Sequence, residues 1–162
     1  KVKNRQNYYS NFKQLVDITS ASVDTFITLN PGVKPVVAFL SFSTKGSAKH
    51  PRQEKIVRAF ELFKEAHPDI ICEGELQFDA AINQSIGNKK APNSMVPGSA
   101  NIFVFPDLDS GNIAYKITQR LAGFEAFGPI LQGLSKPYSD LSRGASPYDI
   151  YVSSMISILR SR

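Results

Sequence analysis

The chain has 162 residues, 42% of them apolar and only 20% charged. That excludes a disordered or fibrous polypeptide and suits one globular domain, or one domain with a piece of another. The net charge of +5 and the pI near 9.4 rest largely on Lys1, Lys3, Arg5 and Lys13, all ahead of the first acid, Asp17; such an arm reads as a solvated terminus, so no nucleic-acid partner is expected, although Tyr8, Tyr9 and Phe12 beside it keep that reading open.

Phe12, Leu15, Val16, Ile18, Thr19, Val23, Phe26 and Ile27 recur near a period of 3.6 and predict a helix over 10–29, stopped by Asn30-Pro31-Gly32. The continuous apolar run Val36 to Phe42 predicts a strand covered on both faces. Runs of this length fall far short of a bilayer span, and no stretch has the pattern of a secretion signal, so no membrane is expected. Ser43 to His50 reads as a polar loop. Pro51 opens an amphipathic helix carrying Ile56, Ala59, Phe60 and Phe63, which ends by Pro68.

Ile70-Ile71-Cys72 predicts a short strand running into Glu73–Ala81. A lone cysteine excludes an internal disulfide and suits a reducing compartment, so the cytoplasm is the expected location. Gly87, Pro92, Asn93, Pro97 and Gly98 predict a loop over 83–99. Ala100–Phe105 reads as a strand and 106–111 as a turn. A helix follows over 112–122, with Ser110 as its N-cap. Phe127–Leu134 is expected to be a fourth, buried strand and 147–160 the closing helix. With no initiator Met and no apolar strand ahead of the first helix, the chain reads as the tail of something longer.

Alternating strands and helices predict an α/β fold: a mostly parallel sheet between helices, in three α/β/α layers. Ligands in such sheets bind beyond the carboxyl ends of the strands. The loops expected there are 43–50, 106–111 and 135–146, all rich in Ser, Asp, Gly and basic residues.

The third loop carries the densest chemistry. Ser142 and Arg143 precede Ser146-Pro147-Tyr148-Asp149, where a helix opens. Ser146 and Asp149 have the spacing of a capping box, with Pro147 at the favoured first position, so capping alone accounts for Asp149. Nothing about capping needs Ser142 and Arg143; a solvated loop accommodates them and so does a site for an anion. Arg120, near a helix end, suits the macrodipole. Asp107 and Asp109 lack the further ligands a divalent cation needs. Ser43-Thr44-Lys45-Gly46-Ser47 resembles a phosphate cradle in composition only. His50, His67 and Cys72 lack zinc spacing, and Cys72 reads as a small core residue.

From Val36 onward the sequence resembles the C-terminal half of the phosphate acetyltransferase (phosphotransacetylase) family. The segments that carry the resemblance are Phe39–Ala48, Glu73–Ala81, Gly111–Lys116, Gln119–Ala122, Gly128–Leu134 and Ser142–Asp149, in family order and near family spacing. Residues 10–35 fit more loosely, and 1–9 not at all. The chain departs from the family at Ala145, often Cys, at Ala114, often Gly, and at Tyr138-Ser139, more usually Val-Asn.

That resemblance implies a reversible exchange of an acetyl group between CoA and phosphate, giving acetyl phosphate from acetyl-CoA. It assigns Asp149 as the base for the CoA thiol and Ser142 as a hydrogen-bond donor to the acyl carbonyl. Arg143 and Arg120 hold phosphate and substrate. It implies no cofactor beyond CoA or acetyl-CoA as substrates, no metal, and a homodimer. It further implies an isocitrate/isopropylmalate dehydrogenase-like architecture. Residues 1–127 would form the smaller, inserted domain without its first strands, and 128–162 the strand and helix that return to an incomplete large domain. The family's N-terminal half, with a further phosphate-binding arginine, is outside the chain, so the piece alone is expected to be weak or inactive. The alternatives are a regulatory or assembly domain of the kind fused to some malic enzymes, and a butyryl-type relative.

Overall fold

The structure, a computed structural model, describes residues 11–161. The basic positions Lys1, Lys3 and Arg5 therefore lie outside the described residues. Helix α1 (Phe12–Leu29) starts at a capping box in which Asn11 and Gln14 exchange side-chain-to-backbone bonds, and it buries Leu15, Thr19 and Val23. Strand β1 (Val36–Leu40) is buried along its whole length. Helix α2 (Pro51–Ala66) takes His50 as N-cap and Pro51 in its first turn, and buries Ile56, Ala59, Phe60 and Phe63.

Strand β2 (Ile71–Leu76) runs parallel to β1, and so does β3 (Ile102–Val104) on the other side, giving the order β2-β1-β3. Successive side chains of β1 feed two cores, as the pleat dictates. Val37 and Phe39 pack with α1 and α2 on one face. Val36, Ala38 and Leu40 pack with Leu76, Ala81, Ala91 and Val96 on the other. The ring of Phe39 lies 5.6 Å from that of Phe63 and 6.1 Å from that of Phe60. Three α/β/α layers with a parallel sheet are thus present, as the alternation predicts.

Four details depart from the sequence reading. The strand expected to end near Cys72 continues to Leu76 and turns into a short helix, α3 (Phe78–Ile82). The expected loop 83–99 contains a second short helix, α4 (Gln84–Lys90), because the Asn83 side chain accepts from the amides of Ser85 and Ile86 and starts a turn. Helix α5 (Leu108–Leu121) begins earlier than expected: its N-cap is Asp107, which accepts from the Ser110 amide, not Ser110 itself.

The expected fourth buried strand is only two residues long. Strand β4 (Ile130–Leu131) pairs antiparallel with β5 (Tyr138–Ser139), apart from the main sheet, and Leu131 and Leu134 are exposed. Gly133, at φ +74°, turns the chain before a longer strand can form. Helix α6 (Pro147–Arg160) closes the fold where the capping signal predicts it.

Candidate functional site

The last turn of α5 and the first turn of α6 each carry one of the candidate residues. Arg120 lies in the last turn of α5, where a cation suits the exposed carbonyls. At the start of α6, Oδ2 of Asp149 accepts from the Ser146 amide at 2.7 Å and from the Ser146 hydroxyl at 2.9 Å, while Ser146 Oγ accepts from the Asp149 amide at 3.2 Å. No hydrogen bond to Oδ1 is made among the described residues. The two Ser146 donors, with a lesser contribution from the positive charge of Arg120, hold the Asp149 carboxyl below its ordinary range.

Ser142 and Arg143 occupy a turn just ahead of α6, closed by the Ala145 amide donating to the Ser142 carbonyl at 3.0 Å. Both side chains are exposed, and neither makes a side-chain hydrogen bond or ion pair among the described residues. Arg120 thus acts on Asp149 only as a charge at a distance, with no ion pair between them among the described residues, and Ser142 and Arg143 are tied to Asp149 through the chain alone. Tyr148, next to Asp149, packs edge-on against Phe127 at 5.9 Å. Phe127 in turn lines a cavity of about 570 Å³ between α1, α5 and the end of β3, and none of the four candidate residues reaches into that cavity.

The loop after β1 holds a polar cluster that the sequence did not disclose. Glu75, only 3% exposed, accepts at Oε1 from the Ser43 hydroxyl and from the Gly46 amide, both at 2.8 Å. Burial pushes this carboxyl up, but the Gly46 and Ser43 hydrogen bonds outweigh it and leave the group below its ordinary range. The remaining loop amides are also committed: Thr44 donates to Ser47 Oγ, Lys45 to the Glu75 carbonyl, Ser47 to the Thr44 carbonyl and Ala48 to Ser43 Oγ. The amides of Ser43 to Ala48 are thus all taken up within the protein, so the resemblance of the Ser43–Ser47 run in composition carries no phosphate cradle. Lys45, left-handed at φ 49°, points its ammonium to Glu73 at 2.9 Å.

The other titratable groups have structural employment. Asp107 caps α5, and the Ser110 amide keeps its carboxyl low. Cys72 is half-buried against the core, and burial raises its thiol to about 11, the wrong direction for a nucleophile. His67 caps the end of α2 and its Nε2 lies 2.8 Å from Ser20 Oγ. Among the described residues no three His, Cys, Asp or Glu side chains are placed to hold a metal, and no helix is long and apolar enough to cross a membrane.

The comparison with known proteins decides the kinship. The family model described as phosphate acetyl/butaryl transferase matches residues 6–158. The chain belongs to that family. It is 54% identical over 125 residues to the phosphate acetyltransferase of Bacillus subtilis, covering 77% of this chain and 39% of the relative. It is 53% identical over 137 residues to that of Acetivibrio thermocellus, covering 85% of this chain and 41% of the relative. Among solved structures, a phosphotransacetylase from Streptococcus pyogenes superimposes with a TM-score of 0.90 at 47% identity, over 96% of this chain and 47% of that one. The EutD phosphotransacetylase from Staphylococcus aureus gives 0.89 at 44% identity, over 96% and 48%. The chain thus spans about two fifths of these relatives and under half of these structures.

Proposed function

We propose that this chain carries the acyl-transfer end of a phosphate acetyltransferase, the part that activates the CoA thiol against acetyl phosphate. The observation that carries this reading is membership of the phosphate acetyl/butaryl transferase family over residues 6–158, with an Asp149 carboxylate that the Ser146 cap holds by one oxygen only. A carboxylate with one oxygen engaged and the other open suits a reaction that takes up a thiol proton.

The chemistry then runs as one displacement. Asp149 is ionised at neutral pH, the state a base needs, and Oδ2 is held by the helix cap while Oδ1 faces the thiol. The free thiol has a pKa near 8.5, so a positioned carboxylate takes its proton as the sulfur adds to the acetyl carbonyl. Negative charge then gathers on the carbonyl oxygen, where the Ser142 hydroxyl donates. Phosphate leaves, clamped by Arg143 and Arg120 through paired hydrogen bonds. No covalent acyl-enzyme forms. CoA, acetyl-CoA, phosphate and acetyl phosphate are the substrates, and the protein works as a cytoplasmic homodimer. Residues from about 128 belong with the larger domain of the complete enzyme, which agrees with a β4–β5 pair set apart from the main sheet.

The test is a chimera in which this chain replaces the matched stretch of the Bacillus subtilis relative, assayed for acetyl-CoA formation from acetyl phosphate and CoA. Asp149→Asn in that chimera should lower kcat by about 10²–10⁴. Unchanged turnover would remove Asp149 from the base role.

A further inference from the structure

Residues 128–162 are bound closely to one another. The Arg160 guanidinium donates to the Leu131 carbonyl at 2.9 Å, and the hydroxyls of Ser139 and Ser157 lie 2.9 Å apart, so α6 holds both β4 and β5. To the rest of the chain this unit is bound sparingly. Among the described residues one side chain, Gln132, makes every hydrogen bond between 128–162 and the residues before them. Its amide meets Ser22 Oγ and Thr25 Oγ1, each at 3.1 Å. Ser22 and Thr25 stand three residues apart on α1 and so share a face. A planar amide with a hydroxyl at each of its two polar atoms is fixed in rotation as well as in place. Elsewhere the two parts meet by packing, α6 beside α1 and Tyr148 on Phe127. A hollow of about 260 Å³, walled by Asp24, Thr28, Leu134 and Arg160, opens beside Gln132. Side chains do not interlock there, so the two bonds, not close packing, fix how 128–162 sits on α1.

We propose that Gln132 is a positioning residue for the transfer, pinning the segment that carries Ser142, Arg143 and Asp149 to α1 and so setting its stance toward Arg120 on α5. That role rests on the acyl-transfer reading above, in which groups from both parts act on one substrate. Gln132 bonds none of the four candidate residues, so it acts on them only by placing the segment. The lever is long. Arg160, tied through Leu131 to the residue before Gln132, and Asp149 stand near opposite ends of α6, about 16 Å apart along the axis. A tilt of about 4° at the pin moves Asp149 by about 1 Å, and a misplacement of about 1 Å can cost about a hundredfold in rate. Thr25 is the partner that isolates the pin. The Ser22 hydroxyl also donates to the Ile18 carbonyl at 2.7 Å, whereas Thr25 makes no other side-chain hydrogen bond among the described residues.

The chimera with the Bacillus subtilis relative described above tests the pin by two readouts. Gln132→Ala and Thr25→Val should each lower kcat by about tenfold or more, and the double variant no further than Gln132→Ala alone. Thr25→Ser, which keeps the hydroxyl, should stay within about twofold of wild type. The pH profile of kcat should not move, since the Asp149 cap is untouched. Spin labels on introduced cysteines at the exposed positions Glu65 and Ser154, in a Cys72→Ser background, read the distance from α2 to α6 whether or not the enzyme turns over. Its distribution should widen in Gln132→Ala and not in Thr25→Ser. A distribution as narrow in Gln132→Ala as in wild type would overturn the proposal, and so would a widened one with full turnover. A wild-type chimera that makes no acetyl-CoA would count against the activity, while a distance that widens only when Gln132 loses its amide would still support the pin.

Discussion

Replacing Glu75 separates hydrogen bonding from charge in the loop that follows β1. Its carboxylate is 3% exposed and takes two buried donors at 2.8 Å on one oxygen, the Ser43 hydroxyl and the Gly46 amide. Glu75→Ala strands both, and each unsatisfied buried donor costs about 1–3 kcal/mol. The Ser43 hydroxyl keeps a weaker alternative in Ser47 Oγ at 3.3 Å, which moderates the loss. The expected destabilisation is therefore about 2–5 kcal/mol, or roughly 5–15 °C in Tm for a chain of this size. Glu75→Gln retains an acceptor oxygen for both donors and loses only charge assistance, so it should cost below about 1.5 kcal/mol.

The pH dependence follows from the direction of the shift. Glu75 is held below its ordinary value. Its ionisation thus stabilises the fold fully above the unfolded value of about 4.3, and that contribution is lost as pH falls through the folded value. Urea unfolding followed by circular dichroism between pH 3 and pH 7 reads both effects. The Gln variant should approach wild type in acid and fall below it near neutrality. Glu75→Ala within about 0.5 kcal/mol of wild type, or Gln as damaging as Ala, would refute the reasoning.

Gly87→Ala should be poorly tolerated, because a Cβ there would lie 2.2 Å from Pro97 Cβ and 2.6 Å from the Ala80 carbonyl oxygen. The expected cost is about 1–3 kcal/mol or more, read from the thermal midpoint, and an unchanged midpoint would mean that the 80–97 segment packs otherwise. Ser146→Ala and Arg120→Ala should each move the Asp149 carboxyl titration upward, with Ser146→Ala the larger effect, followed by carboxyl carbon NMR. Since the carboxyl is depressed in the fold, the helix-capping support it gives is present above about pH 3.9 and disappears as pH falls below. An unmoved titration in Arg120→Ala would separate α5 from α6.

What could be read from sequence was what short spacings decide. The start of α6 followed from Ser146, Pro147 and Asp149, three residues whose bonds are made among themselves. The start of α2 at Pro51 was equally local. Where distant partners decide, the reading failed. Gly87 and Pro97 look like loop residues in sequence, yet they pack together and let α4 form. Asp107 and Ser110 are both good caps, and the Asp107 carboxylate takes the role by accepting from the Ser110 amide. Phe127–Leu134 has the composition of a buried strand, but its partner is the short β5 and none of its residues is buried.

The candidate site divides the same way. The cap on Asp149 was legible; the small effect of the Arg120 charge on it depends on the placement of α5, which no spacing encodes. Burial of Glu75 had no signal either, since carboxylates are seldom buried and its donors lie about 30 residues upstream. The hydroxyl-rich Ser43–Ser47 run was visible as a motif, but not that its hydroxyls and amides turn inward.

The most direct measurement is a crystal structure of the chimera with CoA bound. The thiol sulfur should sit within hydrogen-bond reach of Asp149 Oδ1, with Arg120 and Ser142 on the side from which acetyl phosphate approaches. A thiol resting elsewhere, with Asp149 serving only its helix cap, would contradict the account.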